Sequence, residues 1–193
     1  MKISQAIVLS AGPNGLGALR SLTQEKVITD IIVTNAQEPA LYSRLYNQAK
    51  IVELGKNSQA LLATLLSWPN SGQVLIPTSD WFVDFLVSHE SALKEKFHFV
   101  LPKGDLSQQF IDKQKEVELV KDLVVIPKSI THLPKNALSL KTLLPLPLII
   151  KPRSNELNHL GVKNIIIRTD EDLTTFYQTF SDVLDFCIAQ ALI

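Results

Sequence analysis

Short apolar runs alternate with helix-like segments over the first 103 residues, and this alternation limits the folds that the chain can adopt. Residues 5–10, 30–35 and 74–77 are apolar runs, whereas residues 58–68 carry apolar side chains at helical spacing. Strands that alternate with helices form a largely parallel sheet covered on both faces. The sequence therefore predicts an α/β lobe, which we assign to residues 1–103.

Three further features of this lobe are predicted locally. Weaker apolar runs at residues 50–54 and 97–102 predict additional strands of the same sheet. Residues 80–89 predict a helix, and Asp80 is its expected N-cap, because a carboxylate at that position can accept a free backbone N–H.

A polar helical stretch follows, which we assign as a linker helix over residues 104–123. Its Val117, Val120 and Leu123 form only a narrow apolar stripe. The pattern then restarts as a small α+β lobe over residues 124–193. Strands are expected at 124–127, 148–151, 163–168 and 185–193, and helices at 135–143 and 171–180. Thr169 and Asp172 are spaced as in a capping box, with Asp in place of Glu.

Charge and cysteine content narrow the class of protein. The chain has 19 basic and 19 acidic side chains and a formal net charge of zero. We therefore expect neither nucleic acid nor a membrane as partner. Cys187 is the only cysteine of the sequence, and its apolar neighbours predict a buried, unreactive thiol. A reducing compartment, the cytoplasm, is the expected location.

A glycine-rich turn joins the first predicted strand to its helix, with Gly12, Gly15 and Gly17 in the pattern G-x-x-G-x-G. This differs from the dinucleotide fingerprint G-x-G-x-x-G, and the second strand ends in Thr34–Asn35 where a ribose-binding acid would be needed. A dinucleotide oxidoreductase is therefore a weak interpretation. The glycines permit either a tight turn with close helix packing or contact with an anionic substrate.

Lys151 ends the apolar run of the segment LPLIIKPRSN, residues 146–155. A lysine at the end of a buried strand is costly unless its ammonium group reaches water or an anion. Pro152 removes a backbone donor and predicts the end of the strand there. Lys151 is then either a lysine whose head group extends into solvent or a group directed at a ligand.

Several segments, taken in order, resemble the ATP-grasp superfamily. In the second half these are Asp112–Lys113, VVIPKS, LPLIIKPR and FCIAQALI. In the first half, AIVLSAGPNGLGALRSL, LYSRLYNQAKIVE, VLIPTSDWFV and HFVLP resemble the pre-ATP-grasp domain of carboxylate-amine ligases, in particular the D-aspartate-ligase-like group. The resemblance covers essentially the whole chain. It implies a Rossmann-like parallel-sheet domain followed by a small α+β ATP-grasp lobe, with the C-terminal ATP-grasp lobe absent.

The resemblance also implies an ATP site. Lys113, from the large-lobe side, and Lys151, from the small lobe, match the two lysines directed at the nucleotide phosphates. Gln190 matches the residue that reads the exocyclic amine of adenine. The Ala191 carbonyl would accept from the same amine, and the Ile193 N–H would donate to a ring nitrogen. The alternative for Gln190 is an exposed residue on an edge strand.

The site of the second substrate is expected at the carboxyl end of the first sheet. There Ser79 and Asp80, with the turn of Gly12, Gly15 and Gly17, would hold it. Helix capping explains Asp80 equally well. The four histidines of the sequence are scattered without zinc-like spacing, and we assign no metal ligand and no nucleophile–base pair in this chain.

The resemblance implies an ATP-dependent ligase that joins a carboxylate to an amine through an acyl phosphate, with ATP and Mg²⁺ as cofactors. The partners would be ATP, a small carboxylate and an amine, amino-acid-like in character, with a homodimer left open. The glycine-rich loop expected after Lys151 is reduced to Gly161, which leaves its closure over ATP open. We expect a truncated, inactive part of a longer ligase; the alternative is a non-catalytic nucleotide- or metabolite-binding module.

Overall fold

A computed structural model describes residues 4–51, 57–102, 106–154 and 158–193. Contacts divide the chain into two compact units, Met1–Ser107 and Gln108–Ile193. The boundary falls inside the segment assigned above to a linker helix. Within the described ranges, no helix is both long enough and apolar enough to cross a bilayer.

The first unit contains a parallel sheet with helices between its strands. Its elements are β1 (Gln5–Leu9), α1 (Pro13–Gln24), β2 (Ile28–Val33), a 3₁₀ helix (Pro39–Tyr42), β3 (Ala49–Ile51), α2 (Ser58–Leu66), β4 (Val74–Pro77), α3 (Asp80–Ser88) and α4 (Glu90–Lys94). The four strands among the described residues lie in the order β3-β2-β1-β4, and every pairing is parallel. The predicted α/β class is confirmed.

Both faces of this sheet are buried, because successive side chains of a strand point to opposite sides. Ile7 and Leu9 of β1 belong to a cluster with Leu61 of α2. Val8 lies between them in sequence and belongs to a second cluster with Leu19 of α1. Near-continuous apolar strands are thus explained by helices on both sides of the sheet.

Two local predictions in this unit are wrong. Residues 97–102 form no strand; His98 makes only an isolated parallel bridge to Val74. Their apolar character has another cause, since Phe97 is buried and Phe99 packs against the same cluster. Asp80 is the first residue of α3, and the N-cap is Ser79, whose backbone is extended. The strand predicted over 50–54 is described as far as Ile51, and the rest lies outside the described residues.

The second unit is an α+β layer. Its elements are α6 (Lys113–Val120), which follows the short helix α5 (Leu106–Ile111), then β5 (Ser129–Ile130), α7 (Ala137–Leu143), β6 (Leu148–Pro152), β7 (Ile165–Ile167), α8 (Asp170–Thr179), a 3₁₀ helix (Ser181–Phe186) and β8 (Cys187–Ala191). Among the described residues, four strands lie in the order β5-β8-β6-β7, and all pairings are antiparallel. The capping box of Thr169 and Asp172 is present as predicted.

Several boundaries in the second half differ from the prediction. The helix over 104–123 is interrupted at Asp112, whose extended backbone and side chain cap α6 instead of continuing α5. Residues 124–127 form no strand, and the edge strand is limited to Ser129–Ile130; Val124 and Val125 are exposed. The last strand begins at Cys187, because residues 185–186 belong to a 3₁₀ helix.

The second sheet has one core face and one open face. Leu148 and Ile150 of β6 join Cys187 and Ala189 of β8 in a cluster that also contains residues of α7 and α8. Cys187 is buried there as predicted, and burial raises the pKa of its thiol to about 11. Strand alternation therefore directs Lys151 to the opposite face of the sheet.

Gly15 and Gly17 provide a matched test of helix packing in the first unit. A Cβ at Gly15 would lie 2.1 Å from the Ser10 carbonyl oxygen, whereas a Cβ at Gly17 would meet no described atom within 4 Å. Gly15→Ala should destabilise the protein by about 1–3 kcal/mol or more. Gly17→Ala, at a helix-interior position, should stabilise it by about 0.5–1 kcal/mol. Urea unfolding measures both values, and equal effects would contradict the close approach at Gly15.

Candidate functional site

A pocket of about 250 Å³ lies within the second unit, between α6 and the open face of its sheet. Its described lining consists of Lys113, Glu116, Val117, Val120, Ile126, Pro127, Lys151, Ile188 and Gln190. Residues three and four apart on a helix share a face, so the first four line one side of the pocket from α6. Two lysines and an amide are thereby brought to an otherwise largely apolar site, as is common for small-molecule pockets.

Lys113 and Lys151 reach this pocket from different elements of the same unit. Lys151 is the penultimate residue of β6 and points away from the core. Lys113 begins α6, and its backbone N–H donates to the Arg153 carbonyl at 2.8 Å. The resemblance had implied that the two ammonium groups come from separate lobes. Both lie in Gln108–Ile193 instead, because α6 is fastened to the end of β6.

An ion pair between Asp112 and Arg153 links the start of α6 to the end of β6. Arg153 Nη2 lies 2.6 Å from Asp112 Oδ2, and Nε lies 3.4 Å from Oδ1. The side chains are only 17% (Asp112) and 25% (Arg153) exposed. Asp112 Oδ1 also accepts from the Gln114 N–H at 2.9 Å, capping α6. The pair therefore sets the position of the first turn of α6 relative to the strand that carries Lys151.

The electrostatic balance at Asp112 favours its charged form. Burial acts to raise the pKa of this carboxyl. The hydrogen bond and charge of Arg153, with backbone N–H groups of Gln114 and Lys115, outweigh that effect and lower the pKa below its ordinary value. Asp112 is therefore a fixed anion at neutral pH.

Gln190 is held by side chains on both sides of its amide. Its Oε1 accepts from Lys151 Nζ at 2.7 Å, and its Nε2 donates to Ser129 Oγ at 2.9 Å. Ser129 Oγ in turn donates to the Pro127 carbonyl at 2.8 Å. The alternative of an exposed edge strand is wrong, because β8 pairs with both β5 and β6.

The other two positions proposed for adenine lie at the end of β8. The Ala191 N–H donates to the Lys128 carbonyl at 2.8 Å. Ile193 is fully exposed. Neither residue belongs to the described lining of the pocket. Their roles toward a base stay predictions.

Glu116 was not singled out from the sequence. Of the described lining residues it alone is acidic, and it lies one turn after Lys113 on α6. Its three-residue spacing from Lys113 in a helix could have indicated the shared face. The carboxylate reduces the positive potential that the two lysines create.

The glycine-rich turn of the first unit is occupied by the chain itself. Gly12 is the N-cap of α1, and Gly15 permits close packing against Ser10. The carboxylate of Glu38 accepts hydrogen bonds there from the Ala11 N–H, from the Thr34 N–H at 3.1 Å and from the Ser10 hydroxyl at 3.2 Å. Glu38 thus links the end of β1, just before Gly12, to the end of β2.

Ser79 and Asp80 lie where β4 leads into α3, at the carboxyl edge of the parallel sheet. Their role toward a substrate, like that of Gly12, Gly15 and Gly17, stays a prediction. No group of three His, Cys, Asp or Glu side chains suited to a metal ion occurs in the part of the chain that the structure describes. Ser58 and His89 are hydrogen-bonded at 2.8 Å, a contact that the sequence did not indicate.

Comparison with known proteins gives a fold but no family assignment from sequence. No family model matches the chain. No curated protein matches it either.

Solved structures do match. An ADP complex of the N5-carboxyaminoimidazole ribonucleotide synthetase purK has a TM-score of 0.68 at 10% identity. The N5-carboxyaminoimidazole synthetase from Staphylococcus aureus, complexed with ADP, has a TM-score of 0.65 at 17% identity. The biotin carboxylase domain of the Hydrogenobacter thermophilus 2-oxoglutarate carboxylase, with MgADP, ADP and bicarbonate, has a TM-score of 0.66 at 15% identity.

Each of these matches covers 100% of this chain, whereas the chain covers 48%, 48% and 45% of the respective proteins. The chain therefore spans about half the length of the solved structures that it resembles. The chain shares the fold of these structures, and the predicted parallel-sheet domain followed by a small α+β lobe is confirmed.

The Asp112–Arg153 pair predicts a pH-dependent contribution to stability. Because the folded pKa of Asp112 is lowered, its contribution is present above the unfolded value, about 3.9, and is lost as the pH falls through the folded value. Asp112→Asn should cost about 1–3 kcal/mol at pH 7, and this cost should shrink below about pH 4.

Asp185→Asn is the matched control, since the Lys135–Asp185 pair is exposed and separated by 3.5 Å. It should cost less than about 1 kcal/mol. Urea unfolding of both variants between neutral and acid pH makes the comparison. A cost for Asp112→Asn that does not change with pH would contradict the ionic role.

Proposed function

We propose that the chain binds ATP as the N-terminal part of a carboxylate-amine ligase that acts through an acyl phosphate. One observation carries this proposal: Lys113 and Lys151 line the same pocket as Gln190. Phosphoryl transfer requires mainly positioning and neutralisation of charge. Two lysines beside an amide offer cations for the phosphates and hydrogen-bonding atoms for a base.

The arrangement within the pocket suits the parts of a nucleotide. The volume of about 250 Å³ lies just below the range of about 300–1,000 Å³ for sites that enclose a whole ligand. A base fits such a space more readily than a complete nucleoside triphosphate. The base would lie by Gln190, and the phosphates would extend toward Lys113 and Lys151 at the amino end of α6.

Mg²⁺ fits the described residues poorly. The ion takes several oxygen ligands, including one or two carboxylates. Glu116 is the sole acid in the described lining, and no group of three potential metal ligands occurs in the described ranges. We therefore propose that a metal, which would neutralise phosphate charge when bound, is held by groups outside these residues. The residues of this chain would bind and orient the nucleotide.

The acid and the amine, amino-acid-like as the D-aspartate-ligase-like resemblance implies, are assigned to the carboxyl edge of the first sheet. Ser79 and Asp80 are better supported there than the glycine-rich turn, because Glu38 already accepts the Ala11 N–H of that turn. A cytoplasmic location and a homodimer stay predictions.

A second candidate is a nucleotide-binding module without catalysis. It is favoured by the single acidic residue in the described lining of the pocket, since a metal that assists transfer needs more carboxylate ligands. The two candidates differ in acyl phosphate formation, which hydroxylamine traps as a hydroxamate. We expect no hydroxamate from the 193 residues alone. A product of the same reading frame that extends past Ile193 should give hydroxamate if the ligase proposal is correct.

Replacing either lysine should weaken ATP binding. Lys151→Ala and Lys113→Ala each remove a charge-assisted contact worth about 1.5–3 kcal/mol, or about 10–100-fold in Kd. Weak affinities are expected, and they can be measured by titrating ATP into the isotope-labelled protein and monitoring its amide chemical shifts by NMR.

The control for the lysine variants is Lys141→Ala, which removes an exposed cation paired with Asp170 on the helical side of the unit. Its affinity for ATP should be unchanged. Equal affinities for all variants would remove the two lysines from the site.

Glu116→Gln should strengthen ATP binding by about 2–5-fold at low salt, because it removes a negative charge from the wall that faces the phosphates. Glu118→Gln on the same helix is the matched control, since Glu118 pairs with Lys121 at the surface and does not line the pocket. The same titration serves, repeated at high salt, where the gain should decrease. Weaker binding of Glu116→Gln would contradict the proposed path of the phosphates.

A further inference from the structure

The hydrogen bonds around Gln190 have a fixed direction. A lysine ammonium group can only donate, so the 2.7 Å contact with Lys151 requires the amide oxygen of Gln190 on that side. The amide nitrogen then faces Ser129 Oγ at 2.9 Å. Ser129 gives its single proton to the Pro127 carbonyl at 2.8 Å, and its oxygen is free to accept from Gln190. If the amide were rotated by 180°, its NH₂ group would face the Lys151 ammonium group, donor against donor. Its oxygen would face Ser129 Oγ, whose proton is already donated to Pro127.

Ser129 and Lys151, the two hydrogen-bond partners of the Gln190 amide, differ in how firmly they are held. Ser129 lies directly opposite Gln190 in the β5–β8 pairing and is held by the backbone of the sheet. Lys151 is a long, flexible side chain, and under the proposed function its ammonium group is a ligand of the phosphates. When the phosphates of a nucleotide bind Lys151 in place of Gln190, the orientation of the Gln190 amide depends on its hydrogen bond to Ser129.

We infer that Ser129 is a specificity-determining residue that makes the pocket prefer 6-amino purines to 6-keto purines, an inference that rests on the nucleotide site proposed above. With its nitrogen held by Ser129, Gln190 presents an acceptor oxygen to the pocket. That oxygen accepts a hydrogen bond from the 6-amino group of adenine. A 6-keto oxygen at the same place would meet another acceptor and leave both unpaired.

The same geometry couples the base to the phosphates. The Gln190 oxygen is occupied by Lys151 in the structure, and the release of Lys151 to phosphate exposes that oxygen to the base. Gln190 thus exchanges one donor, the lysine, for another, the purine amine. Sites that pair a polar group of the substrate discriminate strongly, because the wrong ligand leaves buried groups unpaired.

ATP and inosine triphosphate test the inference, since they differ at the 6-position of the purine, amino against keto, and at N1, which carries a proton only in inosine. The change of their affinity ratio on replacing Ser129 isolates the effect of the 6-position. In amide-shift titrations of the full chain, the wild type should bind ATP at least about tenfold more tightly. In Ser129→Ala this ratio should fall to about 2-fold or less, because the amide can rotate. Ser129→Thr keeps the hydroxyl and should retain the preference. Ser181→Ala, an exposed serine elsewhere in the unit, should also retain it.

Gln190→Glu is a second variant that does not depend on Ser129. A carboxylate has an oxygen at both ends, so the preference for ATP should persist and should be insensitive to an added Ser129→Ala. A ratio near one in Gln190→Glu, or an unchanged ratio in Ser129→Ala, would overturn the inference while leaving the nucleotide site intact. The absence of saturable shifts at the pocket with either nucleotide would overturn both.

Discussion

The ion pair between Asp112 and Arg153 is the interaction on which the pocket depends. It joins residues 41 positions apart, and Asp112 at the same time caps α6. A bidentate pair of planar groups fixes both distance and orientation. Because α6 begins there, the pair determines that Lys113 faces the strand that ends with Lys151. The backbone hydrogen bond from the Lys113 N–H to the Arg153 carbonyl supports the same placement.

The division of the second sheet into two faces explains how polar groups are held beside a core. Leu148 and Ile150 contribute to a cluster with α7 and α8, which leaves the alternate positions of β6 and β8 for Lys151 and Gln190. Burial of an unpaired ammonium group is costly. Gln190 offsets that cost in the structure, and a polyphosphate would do so in the proposed complex. Lys151 is thus stabilised by Gln190 in the structure and would be free to bind phosphate in the proposed complex.

Prediction from the sequence succeeded where the signal is local. The strand that ends in Pro152 and the capping box of Thr169 and Asp172 depend on residues a few positions apart, and both are present. The strand predicted at 97–102 failed, because apolar alternation also arises when a segment packs against a core without pairing. The break at Asp112 between α5 and α6 was not predicted from the sequence.

The sequence by itself determined the α/β class of the first unit and the α+β class of the second, since apolar period and turn residues specify strands and helices over short ranges. It also identified Lys151, because a charged residue at the end of an apolar strand is conspicuous. Only the tertiary structure decided that Glu38 accepts the Ala11 N–H just before the glycine-rich turn, that Lys113 and Lys151 share one unit, and that Ser129 bonds the Gln190 amide. These contacts join residues distant in the chain. Hydrogen-bond direction and ion pairing depend on which strands become neighbours, and strand pairing is a property of the whole fold.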